Sequence, residues 1–438
     1  MMIAKTKQHW ISKMADRVIG KQSIPPTMER QARQRQRDGK IDVRDLMETY
    51  TVEELCDTAE EYYRSRGPED WSGLIAKPFA CIQETPELLI CFAHLLHGLQ
   101  PVANATILDF GAGPGWASHA LTQLGAKVIV CDVSATGLQI AEERYRRHRI
   151  EHPHTPPQFS HFNGRTFNLP DKSVDRIICI DAFHHIPNPQ EVILELSRIL
   201  KDDGIAAFAE PGPDHSWSPG AQYEMKHFKV VENDIVIEDI WEFAQQAGFT
   251  DLKMSLFGTQ PFHVDLDGFK DFLAGGTTSK QWTSQATHYM SVARRLFFLS
   301  KGDPRPKDSR TTDGLRCKIE TECISSEIGG PLRYRIRAKN TGTLHWLQAS
   351  QGIGSIYVGC HLRNLDDQSE QLGYVVKPAP LEESQGLMPG KDMVVDLEIP
   401  RPEKPGRYEI AFDLVAQQVA WFSSVGNSTA CVSLTINP

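Results

Sequence analysis

The chain has 438 residues, a length that predicts two or three domains. Its net charge is −9 and 40% of its residues are hydrophobic, as in ordinary soluble globular proteins. Without a domain-wide basic field, nucleic acid is excluded as the main partner, and no apolar run reaches the roughly 20 residues of a membrane span. The polar start of the chain and nine cysteines without C-x-x-C pairs predict a cytoplasmic protein with reduced thiols and no bound metal.

The pattern of apolar residues divides the chain into four regions. Residues 1–75 are polar with helical spacing, and we expect a helical extension that covers the functional site. Residues 76–303 alternate strands and helices, which predicts an α/β domain with a mainly parallel sheet. Residues 304–315 are polar and proline-containing, as in a linker. Residues 316–438 hold short alternating runs between turn signals, which predicts an all-β, immunoglobulin-like sandwich.

A glycine turn organises the α/β region. The apolar strand Thr106–Phe110 runs into Gly111, Gly113 and Gly115, and a helix is predicted from Trp116. The spacing is G-x-G-x-G rather than the G-x-G-x-x-G of dinucleotide folds. Asp109 stands two residues before the first glycine, where its carboxylate would repel a pyrophosphate and favour a cationic cofactor. The next strand ends at Asp132, a position from which a carboxylate accepts hydrogen bonds from ribose hydroxyls.

These residues resemble motifs I and II of the class I methyltransferases, which depend on S-adenosylmethionine (SAM). The resemblance covers roughly residues 77–301 and implies a seven-stranded Rossmann-like sheet, SAM as cofactor and methyl transfer to a small molecule, sugars included. Members of this family have a residue that recognises the adenine of SAM, and Asn163 or Arg165 aligns with it. An ordinary role for Asn163, as a turn residue before Gly164, fits the sequence equally well. The positions that the resemblance assigns to the cofactor are Asp109, Gly111, Gly113, Gly115, Trp116, Asp132, Val133, Asn163, Gly164 and Asp181.

Candidate acid–base residues follow the fourth and fifth predicted strands. Ligands of this fold sit at the carboxyl ends of the strands, so both loops face the methyl group. His185 follows the fourth strand and is our preferred general base, because the pKa of histidine suits proton transfer near neutral pH. Glu210 and His215 follow the fifth strand, and we expect them to position the substrate or to form an alternative acid–base pair. Each histidine also fits an ordinary loop or core role.

The C-terminal region loosely resembles accessory sandwich modules of bacterial surface-polysaccharide proteins. Four of its aromatic residues either stack on sugar rings or pack in the core: Trp346, Tyr357, Trp421 and Phe422. The sequence favours the core for at least two of these four.

The predicted function is therefore O-methylation of a hydroxyl on a carbohydrate, such as a surface polysaccharide or nucleotide sugar, or on another small polar metabolite. C- or N-methylation of a small metabolite is one alternative. A glycan-binding scaffold with a vestigial SAM site is another. The sequence leaves the oligomeric state open.

Overall fold

The computed structural model describes residues 39–100, 102, 104–151, 155–258, 262–304, 307–325, 330–381 and 386–437. Much of the predicted N-terminal extension, residues 1–38, lies outside this set. The chain forms two compact units that divide after Pro304.

The first unit is built on a seven-stranded sheet in the order β3-β2-β1-β4-β5-β7-β6. All neighbouring strands are parallel except that β7 runs antiparallel to both β5 and β6. Successive residues of β1 bury alternately on the two faces, since Ile107 joins one core cluster and Leu108 the other. The strands are β1 Thr106–Phe110, β2 Lys127–Asp132, β3 Gln158–His161, β4 Val174–Ile180, β5 Leu200–Pro211, β6 Asp251–Met254 and β7 Arg294–Ser300.

Helices cover both faces of this sheet, as a parallel sheet requires. Helix α2 begins with a capping box, in which the Thr51 hydroxyl accepts from the Glu54 backbone N–H and the Glu54 carboxylate accepts from the Thr51 N–H. No helix in the described ranges is long and apolar enough to cross a bilayer. The helices are α1 Val43–Thr49, α2 Val52–Arg64, α3 Trp71–Ile75, α4 Thr85–Gly98, α5 Trp116–Gln123, α6 Ala135–Arg147, α7 Pro189–Ile199, α8 Pro219–Phe228, α9 Ile237–Gln246, α10 Leu266–Leu273 and α11 Thr277–Val292.

The end of the first unit combines a helix and the last strand, since α11 continues to Val292 and β7 begins at Arg294. The chain between β6 and β7 also forms the pair α10 and α11, which the sequence pattern did not reveal. The side chain of Asp265 caps the start of α10 by accepting from the Gly268 N–H.

The second unit contains two antiparallel sheets around one core. One sheet has the order β11-β10-β13-β14, with β15 also paired to β13, and the other has the order β12-β9-β8. Edge strand β11 was not predicted, because its exposed residues follow no alternating pattern. The strands are β8 Cys317–Ser325, β9 Leu332–Asn340, β10 Ile356–Asn364, β11 Glu370–Pro378, β12 Asp392–Ile399, β13 Gly406–Ala416, β14 Ala420–Trp421 and β15 Ala430–Ile436.

The segment expected to be a linker packs with the second unit over most of its described length. Asp308 bridges to His345, and Ser309 is buried with its hydroxyl donating to the Gly354 carbonyl at 2.6 Å. Leu315 belongs to the core between the sheets. The polar residues of this segment thus belong to the second unit, because neighbouring backbone groups satisfy their hydrogen bonds.

Candidate active site

The glycine turn lies between β1 and α5 at the carboxyl edge of the sheet. Gly111, Gly113 and Gly115 all have positive φ, between +48° and +71°, a region that residues with a Cβ rarely adopt. The Gly113 N–H donates to Asp132 Oδ2 at 2.7 Å, which ties the turn to the end of β2. A Cβ on Gly111 would collide with the Cβ of Ala182, so the turn also packs against the loop after β4.

Two buried carboxylates flank this turn. Asp109 is 2% exposed and its Oδ2 accepts from the Ser118 hydroxyl at 2.5 Å, yet burial raises its pKa to about 6. Asp132 is 6% exposed, and burial raises its pKa although it accepts from the N–H groups of Gly113 and Ser134. Within the described parts of the chain, neither carboxylate has an ion-pair partner. A ligand that brings a cation and hydroxyl donors would compensate both.

Helix α2 of the N-terminal region lies across this turn. A Cβ on Gly113 would lie 2.5 Å from the Tyr63 hydroxyl, and one on Gly164 would lie 2.7 Å from Cys56 Sγ. Glu60 accepts from the Ser134 hydroxyl at 2.6 Å and from the Thr136 N–H at 3.0 Å, so it caps α6 from outside. Tyr63 and Glu60 were not among the predicted site residues. Nothing in the local sequence marks them, because their partners lie in distant loops.

Three further cofactor candidates have different surroundings. Asn163 is exposed, and its Oδ1 accepts from the N–H groups of Arg165 and Thr166, so it closes its own turn. Val133 is half-buried directly after Asp132 and packs beside the core. Trp116 is buried against Phe92, with ring centroids 5.2 Å apart. The structure therefore brings Val133 next to the turn, whereas Trp116 packs inward.

Asp181, directly after β4, is held by a buried arginine. Its φ is +52°, an uncommon conformation for a residue with a side chain. Arg294 donates to both Asp181 oxygens and to Glu87 Oε1, the last at 2.6 Å. Burial opposes ionisation of Asp181, but the charge and hydrogen bonds of Arg294 outweigh it and lower the pKa of Asp181. The strained residue is thereby fixed beside the Gly111 turn.

Glu210, at the end of β5, is completely buried and anchors the histidine loop. Its carboxylate accepts from three backbone N–H groups and, at 2.7 Å, from His184 Nδ1. Burial and the charge of Asp181 raise the pKa of Glu210 to about 7 in spite of these donors. The residues whose N–H groups it binds are Ala182, Phe183 and His184.

Three histidines meet around Glu232, a residue that the sequence reading missed. His215 Nε2 lies 2.6 Å from Glu232 Oε2, His184 Nε2 lies 3.8 Å from the same oxygen, and His185 Nδ1 lies 3.7 Å from Oε1. The ring centroids of His184 and His185 are 3.9 Å apart. Burial opposes ionisation of Glu232, yet the hydrogen bond from His215 and the three imidazoles lower its pKa to about 2.

The segment after α8 explains how Glu232 reaches the histidines. Val231 is buried in a small cluster with α1, α2 and α8. The Asn233 N–H donates to the His184 carbonyl at 2.8 Å, and the Asn233 amide donates to the Ile186 carbonyl at 2.6 Å. An acid inside the apolar run V-V-E-N-D-I-V-I was the only local signal. The structure thus brings His185 and His215 together through Glu232, while Glu210 contacts His184.

The aromatic candidates of the second unit divide in two. Trp346 and Phe422 are buried in the core with ring centroids 5.3 Å apart. Tyr357 and Trp421 are half-buried, and Trp421 packs on His361 with ring centroids 4.4 Å apart. Tyr408 forms a tyrosine corner, its hydroxyl donating to the Lys404 carbonyl at 2.9 Å. Of the four candidate residues, Tyr357 and Trp421 are the two that retain exposed surface for a sugar ring.

Known proteins resemble the first unit. Residues 108–208 match the sequence profile of a family described as "Methyltransferase domain". A ubiquinone biosynthesis O-methyltransferase of Glaesserella parasuis is 27% identical over 99 residues, which are 23% of this chain and 42% of that protein. A demethylmenaquinone methyltransferase of Tropheryma whipplei is 30% identical over 116 residues, 25% of this chain and 44% of that protein. The chain spans about half the length, or less, of such curated relatives.

Solved structures resemble the chain more distantly. A phosphoethanolamine N-methyltransferase 2 of Haemonchus contortus, in complex with SAM, has a TM-score of 0.40 and 16% identity, covering 59% of this chain and 61% of that one. The YcgJ protein of a Bacillus species has a TM-score of 0.36 and 13% identity, covering 49% and 99%. Residues 108–208 thus match a methyltransferase domain, and the sheet order is that of a Rossmann-like α/β fold.

Proposed function

We propose that the protein is a SAM-dependent O-methyltransferase that acts on a hydroxyl of a small acceptor. The observation that carries this proposal is the grouping of two kinds of residue at one edge of the sheet. Buried carboxylates surround the glycine turn at the ends of β1 and β2, and histidines follow β4 and β5. The first group suits a cationic cofactor, and the second suits proton removal from an acceptor.

The residues of the turn fit SAM on their chemistry. The Asp132 carboxylate retains lone pairs for the ribose hydroxyls, and Asp109 supplies a buried negative charge for the methionine ammonium. Tyr63 of α2 lies against the same turn, and Glu60 binds the start of α6. When bound, SAM supplies the methyl group, and its sulfur keeps both electrons of the broken carbon–sulfur bond.

His185 is the proposed general base. Its Nδ1 lies 2.7 Å from the Val231 carbonyl oxygen, which accepts a hydrogen bond and therefore fixes the proton on Nδ1. Nε2 is then left with a lone pair that can take the proton of an acceptor hydroxyl. The side chain is 37% exposed, so an acceptor can reach it from outside. Glu232 stabilises the imidazolium that forms.

Glu210 and His215 are proposed as positioning residues. Glu210 holds the loop that carries His185, because it binds three consecutive backbone N–H groups there. His215 orients Glu232 through their 2.6 Å contact. A carbohydrate acceptor stays our prediction for the substrate class, supported by the half-exposed Tyr357 and Trp421 and by the sequence resemblance of the second unit.

A second candidate is C-methylation, supported by the relative named demethylmenaquinone methyltransferase. An activated carbon nucleophile needs less help from a base than a hydroxyl does. N-methylation has no comparable support among the curated relatives named above.

Calorimetry with SAM and transfer of labelled methyl to a panel of quinols, nucleotide sugars and glycans test the proposal. Loss of the charge-assisted hydrogen bonds in Asp132→Ala should weaken SAM binding by about 2–4 kcal/mol, or tens- to hundreds-fold. Asp396→Ala, in the second unit, is the matched control and should bind SAM like the wild type. Equal affinity in Asp132→Ala would refute the cofactor assignment. Methyl transfer only to carbon acceptors would favour the second candidate.

A further inference from the structure

His184, His215 and Glu232 form a cluster in which His215 Nε2 lies 2.6 Å and His184 Nε2 lies 3.8 Å from Glu232 Oε2. One ring nitrogen or carboxylate oxygen from each residue lies within 4.8 Å of the others. His184 and Glu232 are buried, and the His215 side chain is 24% exposed. Two imidazoles and a carboxylate thus converge in a small, largely buried space.

The hydrogen bonds of His184 decide which of its nitrogens faces that gap. His184 Nδ1 is hydrogen-bonded to Glu210 Oε2 at 2.7 Å. When Glu210 is ionised its carboxylate accepts this hydrogen bond, as it accepts those from three backbone N–H groups, so the proton of neutral His184 is on Nδ1 and Nε2 presents a lone pair. His184 Nε2 lies 3.8 Å from Glu232 Oε2, so two electron-rich atoms stand opposite each other. A cation between the two atoms removes this repulsion.

A second proton on His184 is an unfavourable remedy. The ring centroids of His185 and His215 lie 3.9 Å and 4.9 Å from that of His184. A positive charge on His184 would therefore lie beside two further imidazoles, whereas a neutral imidazole nitrogen is the form that binds metals.

We propose that His184, His215 and Glu232 bind one divalent transition-metal ion, with Zn²⁺ as the best match. Two ligand atoms about 2.1 Å from a tetrahedral Zn²⁺ lie about 3.4 Å apart, within the range that these three atoms span after small side-chain shifts. Two imidazoles and one carboxylate are a set that zinc accepts, with a fourth position open.

The residues behind the ligands match this assignment. Glu210 holds His184 by the carboxylate–histidine arrangement that fixes the tautomer and orientation of metal-binding histidines. The Asn233 N–H and the His184 carbonyl join the segment carrying Glu232 to the loop carrying His184. These contacts pre-organise ligands from three separate segments of the chain.

The role of the ion rests on the proposed function, whereas its binding does not. His185, the proposed base, adjoins two of the ligands: its ring centroid lies 3.9 Å from that of His184, and its Nδ1 lies 3.7 Å from Glu232 Oε1. A coordinated acceptor hydroxyl has a lowered pKa, loses its proton to His185 Nε2, and forms the new oxygen–carbon bond as the methyl leaves sulfur. The electron pair of the broken bond stays on sulfur, so no other reactant is required.

The test is a Co²⁺ titration of the full chain without an affinity tag, after treatment with a chelator. Co²⁺ reports its coordination through visible absorption, and Zn²⁺ is then added to displace it. We expect one Co²⁺ per chain with the intense bands of a four- or five-coordinate site. His215→Ala and Glu232→Gln should each weaken binding by at least about 100-fold, and Glu210→Gln by about 10–100-fold. His97→Ala, an exposed histidine on α4, should bind like the wild type.

SAM calorimetry on the same preparations shows whether the variants are folded and separates the two proposals. Weak octahedral spectra in the wild type, or equal Co²⁺ affinity in wild type, His215→Ala and Glu232→Gln, would overturn the metal site even if methyl transfer occurs. Tight Co²⁺ binding without SAM binding would support the metal site and refute the proposed function instead.

Discussion

The two units differ in where many of their charged side chains lie, although the second unit also buries Asp413 and His361. In the first unit, acids and histidines are buried at the carboxyl ends of the strands, as Asp109, Asp132 and Glu210 show. In the second unit, β9 and β12 carry a row of ion pairs on their solvent face, with Arg335 and Asp396 about half exposed and 2.9 Å apart. Buried charges cost stability, while exposed pairs are nearly neutral to it. The difference indicates that the first unit retains buried acids and histidines, which lower its stability, because its chemistry uses them.

Strand geometry accounts for this difference. Burial alternates strictly along β9, so every second residue faces water, and the antiparallel register sets Arg335 opposite Asp396. The strands of the first sheet are covered on both faces, which leaves the strand ends as the place for polar groups.

The largest effect is expected from Arg294→Met. The change leaves Asp181 and Glu87 without their cation at a site where the arginine side chain is only 16% exposed. Breaking one side of a buried ion pair costs about 3–5 kcal/mol, so the free energy of unfolding should fall by this amount. Urea denaturation measures it, and Arg335→Met in the second unit is the matched control. A loss below about 1 kcal/mol in Arg294→Met would mean that the two units do not differ in this way.

His185→Ala should lower kcat by at least about 100-fold with SAM affinity unchanged, because a general base is lost. His215→Ala should also lower kcat, and the proposed metal site predicts a simultaneous loss of bound metal. Both are followed by kcat against pH on the acceptor found in the panel. If both variants keep near-normal kcat, no histidine acts as base and the C-methylation candidate gains support.

Asp109→Asn should make the first unit more stable and a weaker binder of SAM. In the folded protein without cofactor the pKa of Asp109 is about 6, which is above the pKa of an aspartate in the unfolded chain. At pH values between these two pKa values, the folded state therefore binds more protons than the unfolded state. The carboxylate therefore costs stability in full above pH 6, and the cost fades as the pH falls from 6 toward 4.

Asparagine removes this charge, so we expect a gain of about 1–3 kcal/mol in unfolding free energy at pH 8 and little gain at pH 4. Urea denaturation at pH 8 and at pH 4 measures the gain in unfolding free energy. A gain that does not change with pH would show that the carboxylate is not the destabilising group.

The smallest effect is expected from Arg335→Ala. Its partner Asp396 remains in water, so the free energy of unfolding should fall by only about 0.2–1 kcal/mol, and high salt should reduce the difference further. A double-mutant cycle with Asp396→Ala isolates the coupling. A coupling above about 2 kcal/mol would contradict the view that these surface pairs are energetically minor.

Local sequence was sufficient for the parts of the site that one segment forms. Asp109, the three glycines and Asp132 were found because their spacing reflects one strand–turn–helix–strand unit. Glu232, Glu60 and Tyr63 were missed because each contacts a loop far away in sequence, and an isolated acid or tyrosine has no periodicity. The sandwich strands were found by alternation, and edge strand β11 was missed because both of its faces are largely exposed.

The contacts of α2 join the candidate cofactor turn to a helix that precedes the family-matched residues. Glu60 caps α6, and Tyr63 lies over Gly113. A fragment limited to residues 108–208 would lack both contacts, so the segment that the family profile matches is smaller than the structural unit that forms this edge of the sheet.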